Sequence, residues 1–162
     1  MAIHKLDLGD FDEIDYNLIA IHTSIEAYRL AYLINQRLVL NLILIDKEIE
    51  INLKEGKINF SSFFYDDEEN NSSWLLFQNR YEIIHHQEIT PENLFSNIIM
   101  DLTTRNFLVP ELKKVDYFLK IENKSSPLKI AQTMQLLNTI PIVTTAYIVE
   151  INKMKFKNNL IF

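Results

Sequence analysis

Val109-Pro110-Glu111-Leu112-Lys113-Lys114-Val115-Asp116-Tyr117-Phe118-Leu119-Lys120-Ile121 opens the stretch, running on to Ile151, whose reading decides the fold. Pro110 lacks an amide proton and biases Val109 toward extended geometry, so Leu108-Val109 ends a strand and Pro110 opens a short turn. Glu111 falls in the first turn after it, where a carboxylate beside exposed amide protons contributes roughly 0.3–1 kcal/mol. Val115, Tyr117, Leu119 and Ile121 alternate with Asp116, Phe118, Lys120 and Glu122, the period of a half-buried strand broken only by Phe118. Ser126-Pro127 predicts a helix start, because the serine oxygen can take an orphan amide and proline suits the first helical position. Ile130, Ala131, Met134, Leu137 and Ile140 then share one helical face. Pro141 stops the helix, and the β-branched run Ile142 to Ile151 predicts a closing strand. The order is turn, strand, helix, strand.

The same plan occurs earlier in the chain. Tyr16 to His22 reads as a strand, and Thr23-Ser24-Ile25-Glu26 has the spacing of a capping box ahead of a helix to about Arg37. Ile25, Tyr28, Ala31 and Tyr32, widened by Leu30, Leu33 and Ile34, form its apolar stripe. Val39 to Ile45 is dense enough in Leu and Ile to be a central strand. Asp15-Tyr16 and Asp116-Tyr117 therefore begin two similar units, a structural pseudo-repeat. Between them, Glu48 to Leu53, the turn Lys54-Glu55-Gly56-Lys57 and Ile58 to Tyr65 predict one hairpin. Asp66 to Ser73 reads as an acidic loop, and Trp74 to Phe77 with Arg80 to His86 predicts a second hairpin around Gln78-Asn79. Thr90-Pro91 starts a short helix carrying Leu94, Phe95, Ile98, Ile99 and Leu102.

Together these elements predict a single α+β domain over residues 1–162: a ferredoxin-like sandwich of two strand-helix-strand units, with antiparallel hairpins and a short helix inserted and the helices on one face. The units span 15–46 and 109–151, the insertion 47–108, and a basic tail 152–162 is expected to be solvated or frayed.

Val109-Pro110-Glu111 followed by Val115-Asp116-Tyr117 resembles the signature of the IPExxxVDY family of small uncharacterised bacterial proteins, with Val109 in place of isoleucine. The length and the flanking Tyr117-Phe118-Leu119-Lys120-Ile121 also suit that family. The resemblance implies no activity. The second unit is in addition similar in outline to ligand-binding ACT domains, but those place glycine in the loop before the helix, where this chain has Asn123-Lys124-Ser125.

Composition narrows the chemistry. Of 162 residues 48% are hydrophobic, enough for a domain that buries about 70% of its unfolded surface. Cysteine is absent, so disulfides, thiolate zinc sites and cysteine nucleophiles are excluded. Gly9 and Gly56 are the only glycines, which excludes a glycine-rich phosphate loop. A net charge of −6 speaks against nucleic acid, and neither a secretory leader nor an 18-residue apolar run is present, so a cytoplasmic protein without membrane contact is expected. His85 and His86, adjacent in a strand, would point to opposite faces and suit joint metal ligation poorly; His4 and His22 are isolated. The carboxylates Asp10, Asp12, Glu13 and Asp15, and the run Asp66 to Glu69, read as solubilising charges.

No catalytic residue, cofactor or metal site is expected. The residues of interest are Val109, Pro110, Glu111, Val115, Asp116 and Tyr117, whose role is read in two ways. Glu111, Asp116 and Tyr117 form a polar contact surface, or Pro110 ends a strand, Glu111 caps a turn, Asp116 pairs with Lys113 or Lys114 and Tyr117 packs on a helix. The functional expectation is a noncatalytic cytoplasmic interaction module, a homodimer or a binder of a protein partner; the alternative is a small-ligand-sensing or enzymatic domain with its site near Pro110 to Tyr117.

Overall fold

Tyr16–His22 is a strand because its residues can be buried on both faces, and Leu18, Ile19, Ala20 and Ile21 are fully buried. A computed structural model describes residues 16–45, 51–53, 56–58, 61–87, 100–122, 127–155 and 157–160. Its elements in chain order are β1 (Tyr16–His22), α1 (Ala27–Leu38), β2 (Ile43–Ile45), β3 (Ile51–Leu53), β4 (Gly56–Ile58), β5 (Ser62–Asp67), β6 (Ser72–Gln78), β7 (Arg80–Gln87), β8 (Met100–Phe107), β9 (Tyr117–Glu122), α2 (Pro127–Asn138) and β10 (Thr145–Ile148). Short 3-10 turns occupy Pro110–Leu112, Ile151–Lys153 and Lys157–Leu160. The fold is α+β, and its pairings are antiparallel.

Six strands form one sheet in the order β10-β1-β9-β6-β5-β2, while β3 with β4 and β7 with β8 make two separate ribbons. The sheet has apolar cover on both faces. On the first face, Ile19, Ile21, Trp74, Leu76, Tyr117, Leu119 and Ile121 meet Leu30, Ala31 and Ile34 of α1 and Ile130 and Leu137 of α2. On the second, Leu18, Ala20, Phe77 and Phe118 meet Leu108, Val109 and Val115 and, from the C-terminal side, Val149, Ile151, Met154 and Leu160. Each of the leucine, isoleucine, valine, methionine and phenylalanine side chains among these contributes about 1.5–3 kcal/mol by leaving water. Two-sided cover explains why Tyr117 to Ile121 is buried without interruption, where alternation alone predicts a half-buried strand.

Both outer strands carry the same device. Asn35, near the end of α1, donates Nδ2 to the Leu42 carbonyl (3.0 Å) and accepts the Leu42 amide on Oδ1 (2.8 Å). Asn138, at the end of α2, donates to the Ala146 carbonyl (2.9 Å) and accepts the Ala146 amide (2.8 Å). One side-chain amide thus takes the place of a neighbouring strand at Ala146 of β10, and another does the same for the main chain of Leu42 immediately before β2.

Several expectations change. Val39 to Ile45 is not central: Val39 is the left-handed residue closing α1 (φ 55°), and only Ile43–Ile45 pairs, at the edge against β5. The predicted capping box is absent, since Glu26 makes no side-chain cap and the Thr23 hydroxyl donates instead to the Ile142 carbonyl. Tyr28 and Tyr32 face outward, because positions 30, 31 and 34 take the buried arc of α1 and leave 28 and 32 on the other side. β6 does not pair with β7: it runs between β5 and β9, the hairpin turn lying at Glu68 to Asn71. Asn79 is then a buried junction, and β7 leaves the sheet to pair with β8. The predicted short helix overlaps β8 at Met100 to Leu102; its Thr90-Pro91 start and Leu94 to Ile99 lie outside the described residues. The closing strand is shorter than Ile142 to Ile151, and Met154 and Leu160 of the expected solvated tail are buried. Asp10 to Asp15, Glu48 to Glu50, Lys54-Glu55 and Ser126 also lie outside the described residues.

Candidate functional site

The motif residues surround one buried side chain. Asn79 is fully buried, its Nδ2 donating to the carbonyls of Leu112 (2.9 Å) and Val115 (3.1 Å) and its Oδ1 accepting the Val109 amide (2.9 Å). Its main chain is engaged too: its amide donates to the Asp116 carbonyl (2.9 Å), and its carbonyl accepts the Leu108 amide (2.8 Å). The loop from Leu108 to Asp116 is therefore wound around an asparagine 29 to 37 positions earlier in the chain (108 − 79 and 116 − 79). Val109 and Val115 are buried in the second-face cluster, and Pro110 starts the 3-10 turn, as its fixed φ favours.

The polar motif side chains divide between the two faces of this junction. Asp116 accepts the Thr23 amide on Oδ2 (3.0 Å), its own amide donates to Ile21 (3.2 Å), and Thr23 continues to Ile142, so one chain of bonds joins the two strand-helix-strand units. This bond to Thr23 stands where a lysine partner was expected. Tyr117 packs in the first-face cluster and donates its hydroxyl to the Ile25 carbonyl (2.6 Å), just ahead of α1. Burial pushes its phenol pKa up, and Asp116 adds to that, while the hydrogen bond from Gln78 acts in the opposite direction. Glu111 is exposed, and its Oε1 accepts the Lys155 amide (2.6 Å), tying the motif to the C-terminal segment.

A second polar cluster was not anticipated. Sheet register sets Tyr16, Glu122 and Ser73 side by side, with Lys120 one step along the same face, in a row otherwise formed by Leu18 and Leu75. Lys120 is only 4% exposed; its Nζ lies 2.6 Å from Glu122 Oε1 and 4.7 Å from the Tyr16 ring centre. Ser73 donates a long bond to Glu122 Oε2 (3.4 Å). Burial, then the Glu122 charge, raises the Tyr16 pKa. A buried ammonium requires an anion and aromatic cover, and the cluster supplies both. By alternation alone Lys120 is an outward member of its strand; the signal for the cluster is a lysine inside an otherwise apolar run.

Among the described residues, no three histidine, aspartate or glutamate side chains come together to hold a metal ion. The acidic turn uses its own ligands, Asp67 accepting the amide (3.1 Å) and Nδ2 (2.8 Å) of Asn70. His85 and His86 are consecutive in β7, opposite Leu102 and Asp101. No helix of the described residues is long and apolar enough to cross a membrane. No family model, no curated protein and no solved structure matches the chain.

Proposed function

We propose that this chain is a noncatalytic interaction module of the cytoplasm, working through contact with another protein surface, in the first instance a second copy of itself. The observation that carries the reading is the placement of exposed apolar side chains. Of eight large ones standing exposed among the described residues, five lie on α1 (Tyr28, Tyr32), on the residue that closes it (Val39) and on the strand after it (Ile43, Leu44), with Tyr28 65% and Ile43 59% exposed. Apolar side chains concentrated in this way mark contact surfaces more often than scattered ones do. The motif supports the same reading, because Asp116 and Tyr117 spend their polar groups on the main chain of the scaffold. The absence of cysteine suits the reducing cytoplasm.

Membership of the IPExxxVDY family belongs to this proposal, supported by Val109-Pro110-Glu111 and Val115-Asp116-Tyr117 standing together at one junction. So does a ferredoxin-like arrangement, supported by the order β10-β1-β9-β6 with α1 following β1 and α2 joining β9 to β10. In that reading β5 and β2 are additions at one margin. The test is sedimentation over a wide concentration range, with Leu44→Glu and Tyr28→Glu as variants. Association that both variants weaken without lowering Tm supports the module; a monomer at every concentration, with neither variant altering capture of a cellular protein, rejects it.

A further inference from the structure

We propose that residues 151–155 and 157–160 form a releasable strap over the second face of the sheet, latched by the Glu111 carboxylate. The strap holds the sheet through three separated apolar side chains, Ile151, Met154 and Leu160, which share a cluster with Leu18, Ala20, Phe77 and Phe118. Its own main-chain bonds are local turns, Lys153 to Glu150 (3.1 Å) and Met154 to Ile151 (3.0 Å). Among the described residues no strand of the sheet pairs with it, so lifting it breaks no ladder bond. Upstream, the Val149 amide donates to Leu18 (2.8 Å) and fixes the point from which the strap departs. Downstream, the bond from the Lys155 amide to Glu111 Oε1 (2.6 Å) joins it to the motif. Lys153 is paired to Glu150, the residue just before the strap.

This arrangement gives Glu111 a part that turn capping does not supply. Its carboxylate faces solvent and grips a main-chain amide 44 positions away, the geometry of a latch between two segments that could separate. Opening the strap uncovers Phe77 and Phe118, whose rings lie 5.7 Å apart, while β1, β9 and β6 keep their hydrogen bonds to one another. Among the described residues, the Glu111 carboxylate and the apolar anchors Ile151, Met154 and Leu160 then govern how much apolar surface this face shows. The device is independent of the contact surface on α1 and β2.

Native-state hydrogen exchange of the full chain tests it. In the wild type, the Met154 and Lys155 amides should exchange through an opening that leaves the amides of Tyr117 to Ile121 protected. Glu111→Ala should accelerate the strap amides about tenfold or more, the scale of a lost charge-assisted bond, with β9 unchanged. Lys155→Ala keeps the main-chain donor and should leave exchange as it was. Strap and β9 amides exchanging in step in the wild type, an unaltered strap in Glu111→Ala, or an equal acceleration in Lys155→Ala would each overturn the proposal.

Discussion

Replacing Asn79 by alanine should be among the most damaging single changes in this protein. The side chain satisfies three main-chain groups at 2.9, 3.1 and 2.9 Å, all from the Leu108 to Val115 loop. The Leu112 carbonyl would keep a partner, because it also accepts the Val115 amide (2.9 Å). The Val109 amide and the Val115 carbonyl would be left unpaired in residues that are 0% and 2% exposed. Each such orphan costs about 1–3 kcal/mol, and the void left by truncation adds to that, giving a loss of about 3–5 kcal/mol. Against a typical total of about 5–15 kcal/mol, that is a large share. At about 2–4 °C per kcal/mol in a domain of this size, Tm should fall by roughly 6–20 °C. Urea unfolding followed by circular dichroism gives the free energy directly. Asn79→Asp sharpens the test, since it retains the acceptor for Val109 but turns an oxygen toward two carbonyls; it should be at least as harmful as alanine. A loss under about 1 kcal/mol for Asn79→Ala, or a clearly milder Asn79→Asp, would refute the view that this amide organises the motif.

Two further outcomes follow from the clusters beside it. The folded protein holds the Tyr117 phenol proton more tightly than the unfolded chain, so Tyr117 contributes stability that is complete below about pH 10 and declines as pH rises through its raised pKa. Tyr117→Phe should therefore cost about 1 kcal/mol near neutrality, through the bond to Ile25, and make the alkaline decline shallower, as urea unfolding across pH would record. For the Lys120–Glu122 pair the two halves are unequal: Glu122→Gln removes the carboxylate beside a buried ammonium and should cost about 1–3 kcal/mol, whereas Lys120→Met leaves a carboxylate that water reaches and should cost less than about 1 kcal/mol. Equal losses, measured by thermal unfolding, would contradict the geometry.

Local signals carried part of the fold and long-range ones the rest. The bounds of β1 and the proline start of α2 were legible because they depend on neighbours within one or two turns. The position of a strand in the sheet does not. Ile43, Leu44 and Ile45 look central by composition yet lie at a margin, since β5 and β6 return between them and β9. The same holds for Asn79, which reads as a turn residue beside Gln78 because nothing nearby shows that its partners stand some 30 positions away. The motif was visible as a sequence, but Glu111 and Asp116 meet Lys155 and Thr23, which are 44 and 93 positions distant. Strand pairing across such separations is invisible to periodicity, which reports only which face of a strand is apolar.

The paired asparagines bear on how the protein can meet a partner. An open sheet margin offers unpaired amides and carbonyls to any extended chain, and edge-to-edge association is the usual consequence. Here Asn138 occupies the amide and carbonyl of Ala146 on one outer strand, and Asn35 those of Leu42 immediately before the other. Each comes from the helix that precedes its strand, so the two strand-helix-strand units close their margins alike, a likeness of geometry where the sequences share little more than Asp-Tyr at their starts. With Ala146 already bonded, a continuous ladder along β10 would have to displace a side chain that makes two hydrogen bonds, and along β2 a ladder could not extend back past Leu42 without displacing Asn35. Contact through side chains requires no such displacement. Tyr28 and Tyr32 on the outer side of α1, and Ile43 and Leu44, exposed on opposite faces of β2 just beyond the Asn35 clamp, are the side chains through which the proposed contact would be made.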